Sequence, residues 1–397
     1  MPLPTNFIET LIYLHPTKIM EWLKQRSKSS KSTLWQLRNE LAPSDLYCYF
    51  TARFGRPNGL QNFLRTNDSD NLIHWEWTFS CDYGFVSFLG MNFRTEVCLI
   101  GEFPFVEADK QNFIAQIKSD FAKYGQKMSE VRKSLEHWTE FVNPYHRLSS
   151  SVSKLMIELE ELQLQPEDEA IPDLTNAEQF LNENWANVLT KYTKGLGLCF
   201  GIRSMLPVMA EAYVNLLLFV LMRPDLRADD RLRENTIRQP IDIRLKSLHM
   251  TCIGFEGPVD YSTEACKAYH TLVNERNDML HGNVVLEKLR FNDLYFNGTV
   301  PIFKQYRSLW ERTVGVEIGA VGLHKLHQEV AVVNELISYL TTLLKPELRA
   351  QFQRISSTRD LGLRTGSGRI GILFPGYLVD MFLPVSEPHN DDAIPEA

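Results

Sequence analysis

The sequence predicts an α+β protein, mainly α, and three changes in the spacing of its apolar residues carry that reading. Between Leu72 and Phe105, β-branched and aromatic residues crowd into three short runs, IHWEWTFSC, GFVSFLGMNF and TEVCLIGEF. From Phe121 the apolar residues switch to a three-four alternation. Four further stretches beyond Asn176 keep helical spacing. Strands alternate their faces residue by residue and helices return to a face about every 3.6 residues, so the pattern separates the two.

Residues 1–105 form the N-terminal mixed region. Residues 4–65 read as short amphipathic helices punctuated by RSKSSKST, APSD and GRPNG. A three-stranded antiparallel meander follows over Leu72–Phe105, with Cys81-Asp82-Tyr83-Gly84 as its first turn. Alternation puts Trp75, Trp77 and Phe79 on one face, as a sheet core requires. Stacking on nucleic-acid bases is the other use such residues find.

Residues 106–165 read as a helical hairpin arm. Phe121, Tyr124, Met128, Val131, Leu135, Trp138 and Val142 make one heptad stripe. Asn143-Pro144 breaks it, because proline lacks an N–H and pushes its predecessor out of the α region. The stripe restarts at Leu148, Val152, Leu155, Leu159 and Leu162. Gln163–Thr175, with two prolines and a cluster of acids, reads as a linker.

Residues 174–345 read as a C-terminal helical bundle built on Asn176–Gly195, Met205–Met222, Thr263–His281 and Leu323–Leu344. Gly298–Gly322 is an insertion of mixed character. Residues 346–397 supply a basic segment, a small hairpin turned at Pro375-Gly376 and a polar tail.

Bulk properties limit the function classes. The chain has 397 residues, 44% hydrophobic and 23% charged, which suits a globular core without disulfide staples. Its net charge of −7 excludes a general polyanion binder, so any RNA contact needs a local basic patch. Six scattered cysteines, Cys48, Cys81, Cys98, Cys199, Cys252 and Cys266, contain no CxxC pair. They fit buried thiols in a reducing compartment better than zinc or disulfides. The N-terminus has no basic stretch ahead of an apolar one. Glu211 and Asn215 interrupt the apolar run Met205–Met222, which reads as a core helix. A cytoplasmic protein with no membrane partner is expected.

One stretch carries chemistry: Asn274-Glu275-Arg276-Asn277-Asp278-Met279-Leu280-His281-Gly282. Residues five apart lie about 140° apart around a helix, so Arg276 and His281 do not share a face as i,i+4 pairs do. Gly282 is placed to cap the helix and relax its last turn, which would let His281 swing back towards Arg276 at the helix end. An arginine fork clamps phosphate, and a histidine moves protons near neutral pH. Those are the minimal groups for RNA cleavage by the 2′-hydroxyl.

Arg276-Asn277-Asp278-Met279-Leu280-His281 resembles the R-x4-6-H motif of the HEPN superfamily, and the order of helices around it is similar to that family's bundle. The resemblance covers the C-terminal half. It implies a metal-independent endoribonuclease, of the kind found in bacterial toxin–antitoxin and phage-defence systems, that needs no cofactor. Arg276 would hold the scissile phosphate, His281 would serve the 2′-hydroxyl or the leaving oxygen, and Asn277 would orient the pair or the substrate. It also implies an RNA substrate, a homodimer with both motifs lining one cleft, and a protein regulator or trigger. A tyrosine two residues after the histidine marks one regulated branch; this chain has Asn283 there.

Lys345, Arg349, Arg354, Arg359, Arg364 and Arg369 face only Glu347 and Asp360 within Lys345–Arg369 and make the best candidate for tracking RNA phosphates. Arg290, Lys304, Arg307 and Arg312 form a weaker group. Gly366-Ser367-Gly368-Arg369-Ile370-Gly371 matches GxGxxG in letters but lacks the βαβ unit that dinucleotide binding needs. His324 and His327, near Glu329, have a zinc-like spacing without a third ligand, so no metal is expected. The alternative function is a non-catalytic helical scaffold that binds protein or RNA through the hairpin arm and the N-terminal sheet. An N-terminal sensor that releases the nuclease is compatible with the first reading.

Overall fold

The computed structural model describes residues 3–25, 31–64, 71–165, 183–291, 293–303 and 314–374. They divide into two units, Met1–Thr139 with Gly362–Ala397, and Glu140–Leu361. The class is α+β, mainly α. The linker after residue 165, the turn at Pro375-Gly376, the polar tail, and Lys304, Arg307 and Arg312 lie outside the described residues.

The first unit opens with a 3-10 turn at Phe7–Thr10, then β1 (Ile12–Tyr13), α1 (Pro16–Gln25), β2 (Ser32–Leu37) and α2 (Pro43–Phe54). The expected meander follows as β3 (Trp75–Cys81), β4 (Gly84–Gly90) and β5 (Thr95–Gly101). It is the centre of a five-stranded antiparallel sheet, order β1-β3-β4-β5-β2. The two outer strands come from a stretch read as helices alone. Only Trp35 and Leu37 face inward along β2, too few for alternation to show.

Trp77, Phe79, Phe88, Val97 and Leu99 share a buried core with Tyr49 and Phe50 of α2. Trp75 joins it, so the three aromatics of β3 pack the core rather than offer a base-stacking platform. α3 (Asp109–Ser134) covers the same core with Phe113, Ile114 and Ile117 and packs along α2. The Tyr49 hydroxyl donates to Asp120 at 2.6 Å, and Arg53 donates to both groups.

The heptad stripe does not continue helical to Val142. Leu135 is extended at φ −79°, ψ 147°, and WTEFV becomes β6 (Trp138–Val142). Its aromatic and β-branched residues favour a strand, and this local preference outweighs the spacing. The second half of the stripe is α4 (Pro144–Glu161), in the second unit, packed along α5 (Glu183–Leu221). The expected hairpin arm is therefore divided between the two units. Asn143 starts α4 by accepting from the Tyr145 and His146 amides. Its amide nitrogen donates to the carbonyls of Ile355, Ser356 and Thr358.

α5 joins two stretches read as separate helices, with Pro207 inside it. By length and composition it is the one membrane-length apolar helix among the described residues, but 56% of its apolar window is buried within the protein. It forms the core of the second unit. After it come α6 (Pro224–Ala228), α7 (Asp230–Arg238), α8 (Ile241–Thr251), α9 (Glu264–His281) and α10 (Leu286–Leu289). A two-stranded sheet, β7 (Leu294–Asn297) with β8 (Val300–Phe303), precedes α11 (Val316–Val321), α12 (Leu326–Thr342) and α13 (Pro346–Ser357). α5, α9 and α12 pack on one another. Leu206 and Leu217 of α5, Tyr269 and Leu272 of α9, and Val333 and Leu336 of α12 are buried.

β9 (Asp360–Arg364) leads the chain back to the first unit, where Gly362 and Leu363 pair antiparallel with Gly371 and Ile370 of β10 (Ile370–Gly371). The GxGxxG letters span this turn and β10 itself, with Gly366 at φ +92° and Gly368 at φ +66°. No helix follows within the described residues.

Candidate functional site: the C-terminal end of α9

Thr263 begins α9 and Gly282 ends it in the left-handed conformation, φ 63° and ψ 33°. The amides of Gly282 and Asn283 both donate to the Asp278 carbonyl, closing the helix in the Schellman manner. A Cβ at position 282 would be strained at that φ, so glycine fits the ending. Asn283 also donates from its side chain to Asp278 at 3.1 Å.

The expected relaxation of the last turn does not occur: the helix holds its form through His281, because Gly282 takes up the turn after it, so the angular separation of Arg276 and His281 persists. His281 is exposed and lies one turn beyond Asn277. Arg276 is half-buried and donates from Nη1 to Asn277 Oδ1 at 3.0 Å. Asn277 thus fixes the arginine and shares a helix face with the histidine. Arg276 lies two turns beyond buried Tyr269, on the inward side of α9. Burial pushes the Tyr269 phenol up, the Glu211 charge adds to this, and the Arg244 and Arg276 charges oppose it. The Tyr269 hydroxyl donates to the carbonyl of Pro207 in α5 at 3.1 Å.

Glu275, next to Arg276 in the chain, and Glu211 of α5 are both engaged by other arginines. Arg203 of α5 is only 8% exposed and Glu329 of α12 only 7%. The Arg203 guanidinium takes both oxygens of Glu329, one from Nε at 2.6 Å, and donates from Nη1 to the Val321 carbonyl at 2.7 Å. It also reaches Glu275 at 3.2 Å. Gly322 permits this approach, since a Cβ there would lie 2.5 Å from Arg203 Nη1. Glu211 is held by buried Arg244 of α8, which also donates to Asn215. Arg276 has no carboxylate partner among the described residues, and its Nε is buried without a hydrogen bond.

The sequence did not single out Arg203 or Arg244. Their signal was faint: cations lying next to or packing on an apolar helix need buried carboxylates, and Glu211 and Glu329 were available. Glu329 faces inward to Arg203, whereas His324 and His327 are exposed, so the three do not converge. No metal-binding cluster exists among the described residues.

The basic segment does not act as one group. Arg349 donates to the Thr342 and Leu344 carbonyls at the end of α12. Arg359 pairs with Asp360, and Arg364 with Glu136 at 3.1 Å. Lys345, Arg354 and Arg369 are exposed with no ion pair among the described residues. Arg364 and Arg369 belong to the first unit and the other four to the second. Arg290 is paired with Asp293 at 2.7 Å.

The chain matches no protein-family model, no curated protein and no solved structure.

Proposed function

We propose that the chain is a cytoplasmic, metal-independent endoribonuclease of the HEPN kind, centred on Arg276, Asn277 and His281. The observation that supports this reading most is the state of Arg276, held by Asn277 with no carboxylate partner among the described residues, while Glu275 and Glu211 serve Arg203 and Arg244. A guanidinium so placed keeps donors for an anion. The exposed imidazole one turn from Asn277 supplies the proton chemistry.

In the proposed reaction His281 takes the proton of an RNA 2′-hydroxyl and the 2′-oxygen attacks the adjacent phosphorus. The bond to the 5′-oxygen breaks, and that oxygen leaves protonated. Arg276 balances the charge that builds on the phosphoryl oxygens. Two copies facing one cleft would supply a second His281, one taking the proton and the other returning one. The test is to replace His281 by Ala and Arg276 by Ala. Loss of the proton-transfer group should slow cleavage by roughly 10²–10⁴-fold. His281→Ala should leave thermal stability near that of wild type, because the side chain is exposed. A His281→Ala protein that cleaves at the wild-type rate would end this reading.

A further inference from the structure

Beyond the motif the chain exposes an unusual amount of apolar surface. Ten large hydrophobic side chains between Leu280 and Ile302 are 45–81% exposed, among them Val284, Leu286, Leu294, Tyr295, Phe296 and Val300. Both faces of the β7–β8 hairpin take part. Leu294 and Phe296 lie on one face, and Tyr295 and Ile302 on the other. A two-stranded hairpin is marginal by itself in water, and an apolar patch of this extent marks an interaction surface.

The hairpin has one guarded edge and one open edge. Asn297 pairs with Val300 across the two-residue turn Gly298-Thr299, which makes theirs a hydrogen-bonded pair. Pairs alternate from there, so Phe296 and Pro301 direct their backbone groups outward. Proline has no N–H to offer, and it blunts the outer edge of β8. On β7 the outward groups belong to Leu294 and Phe296, and no strand pairs with that edge among the described residues.

We propose that this edge and its apolar surroundings join two copies of the chain, β7 pairing antiparallel with β7 of the second copy. Size supports a copy as the occupant. The ten exposed side chains offer on the order of 1,000 Å² per chain by ordinary side-chain areas, which leaves room for the about 800 Å² per partner that a stable complex buries. Charge supports it too. By sequence, residues 280–303 carry two acidic and two basic residues, so two copies of the segment carry no net charge to repel one another. A membrane surface or a nucleic acid would call for a basic excess instead. Antiparallel pairing of identical strands is also two-fold symmetric, as an isologous dimer requires. The register that uses both outward residues of each strand, with about four hydrogen bonds, sets Leu294 opposite Phe296 and places Tyr295 on the axis. Self-association through β7 does not depend on RNA cleavage, and it is read with no RNA present.

The test uses the full chain in sedimentation equilibrium. Wild type should run at twice 45.9 kDa at micromolar concentration. Phe296→Pro removes an outward N–H while sparing the inner ladder, and it should weaken association by at least about tenfold. Tyr295→Cys provides a second arm. Mild oxidation should link two chains through the axis position, where cross-strand Cβ atoms lie about 4.5–5.5 Å apart. Thr299→Cys, at the hairpin tip, should stay uncrosslinked. A chain that remains at 45.9 kDa overturns the proposal. So does a dimer that Phe296→Pro leaves intact while Tyr295→Cys links no faster than Thr299→Cys; that outcome would place the contact on another surface.

Discussion

Arg203 donates to Glu275 at 3.2 Å while the same guanidinium grips Glu329 with two prongs. One buried cation thus ties α5 to α9 and α12, and it occupies the carboxylate immediately before Arg276. Replacing Arg203 by Met leaves Glu329 buried without its cation, at a cost of about 3–5 kcal/mol in unfolding free energy. Urea denaturation measures this. The double change Arg203→Met with Glu329→Leu should recover most of the loss, because an apolar pair of similar volume replaces the ion pair. A single variant that unfolds at the wild-type midpoint would show that the pair does not hold the three helices.

The sheet, the core aromatics and the motif helix were legible in the sequence because each rests on local preference. WEWTF alternates without interruption, and Gly282 follows directly on the residues that need a cap. β2 was hidden because only two of its residues face inward. The end of α3 was misplaced because a heptad stripe continued through residues whose own preference is for a strand. The network of Arg203, Glu275 and Glu329 spans 126 residues of sequence, and no periodicity reports a pairing of that range. For the same reason the sequence showed six basic residues near its end but not that Arg349, Arg359 and Arg364 are already engaged.

The first unit carries a pH-dependent tie. Burial raises the Asp120 carboxyl, but the Tyr49 and Lys123 hydrogen bonds and the Arg53 charge outweigh it and hold the group below its ordinary range. A depressed carboxyl stabilises the fold above its unfolded pKa and loses that contribution as pH falls towards the folded value. Asp120→Asn should therefore lower the urea midpoint at neutral pH, and the gap to wild type should narrow as pH drops through about 3.9 and below. A gap that stays constant across that range would mean the charge of Asp120 contributes nothing.

Substrate grip should follow the cations of the second unit that have no ion pair among the described residues. Lys345→Ala with Arg354→Ala removes two exposed positive charges, and the salt slope of RNA affinity should flatten by about 1.4, at roughly 0.7 per single-strand contact. Arg359→Ala should change the slope little, since Asp360 already holds that guanidinium. Turnover at saturating RNA should be unaffected in both proteins, because lost uniform binding raises KM alone. Parallel salt slopes for wild type and the double variant would remove Lys345 and Arg354 from the RNA path.

Whether Arg276 and His281 form a ribonuclease centre is tested most directly by mapping the ends of RNA cut in the presence of EDTA. Attack by the 2′-hydroxyl needs an acid, a base and charge balance on the phosphate, all of which side chains can supply. Cutting should persist in EDTA and leave 2′,3′-cyclic phosphate on one fragment and a 5′-hydroxyl on the other. Arg276→Ala and His281→Ala protein should leave the RNA intact under the same conditions. Products ending in 5′-phosphate, or cutting that stops when divalent metal is removed, would contradict the assignment.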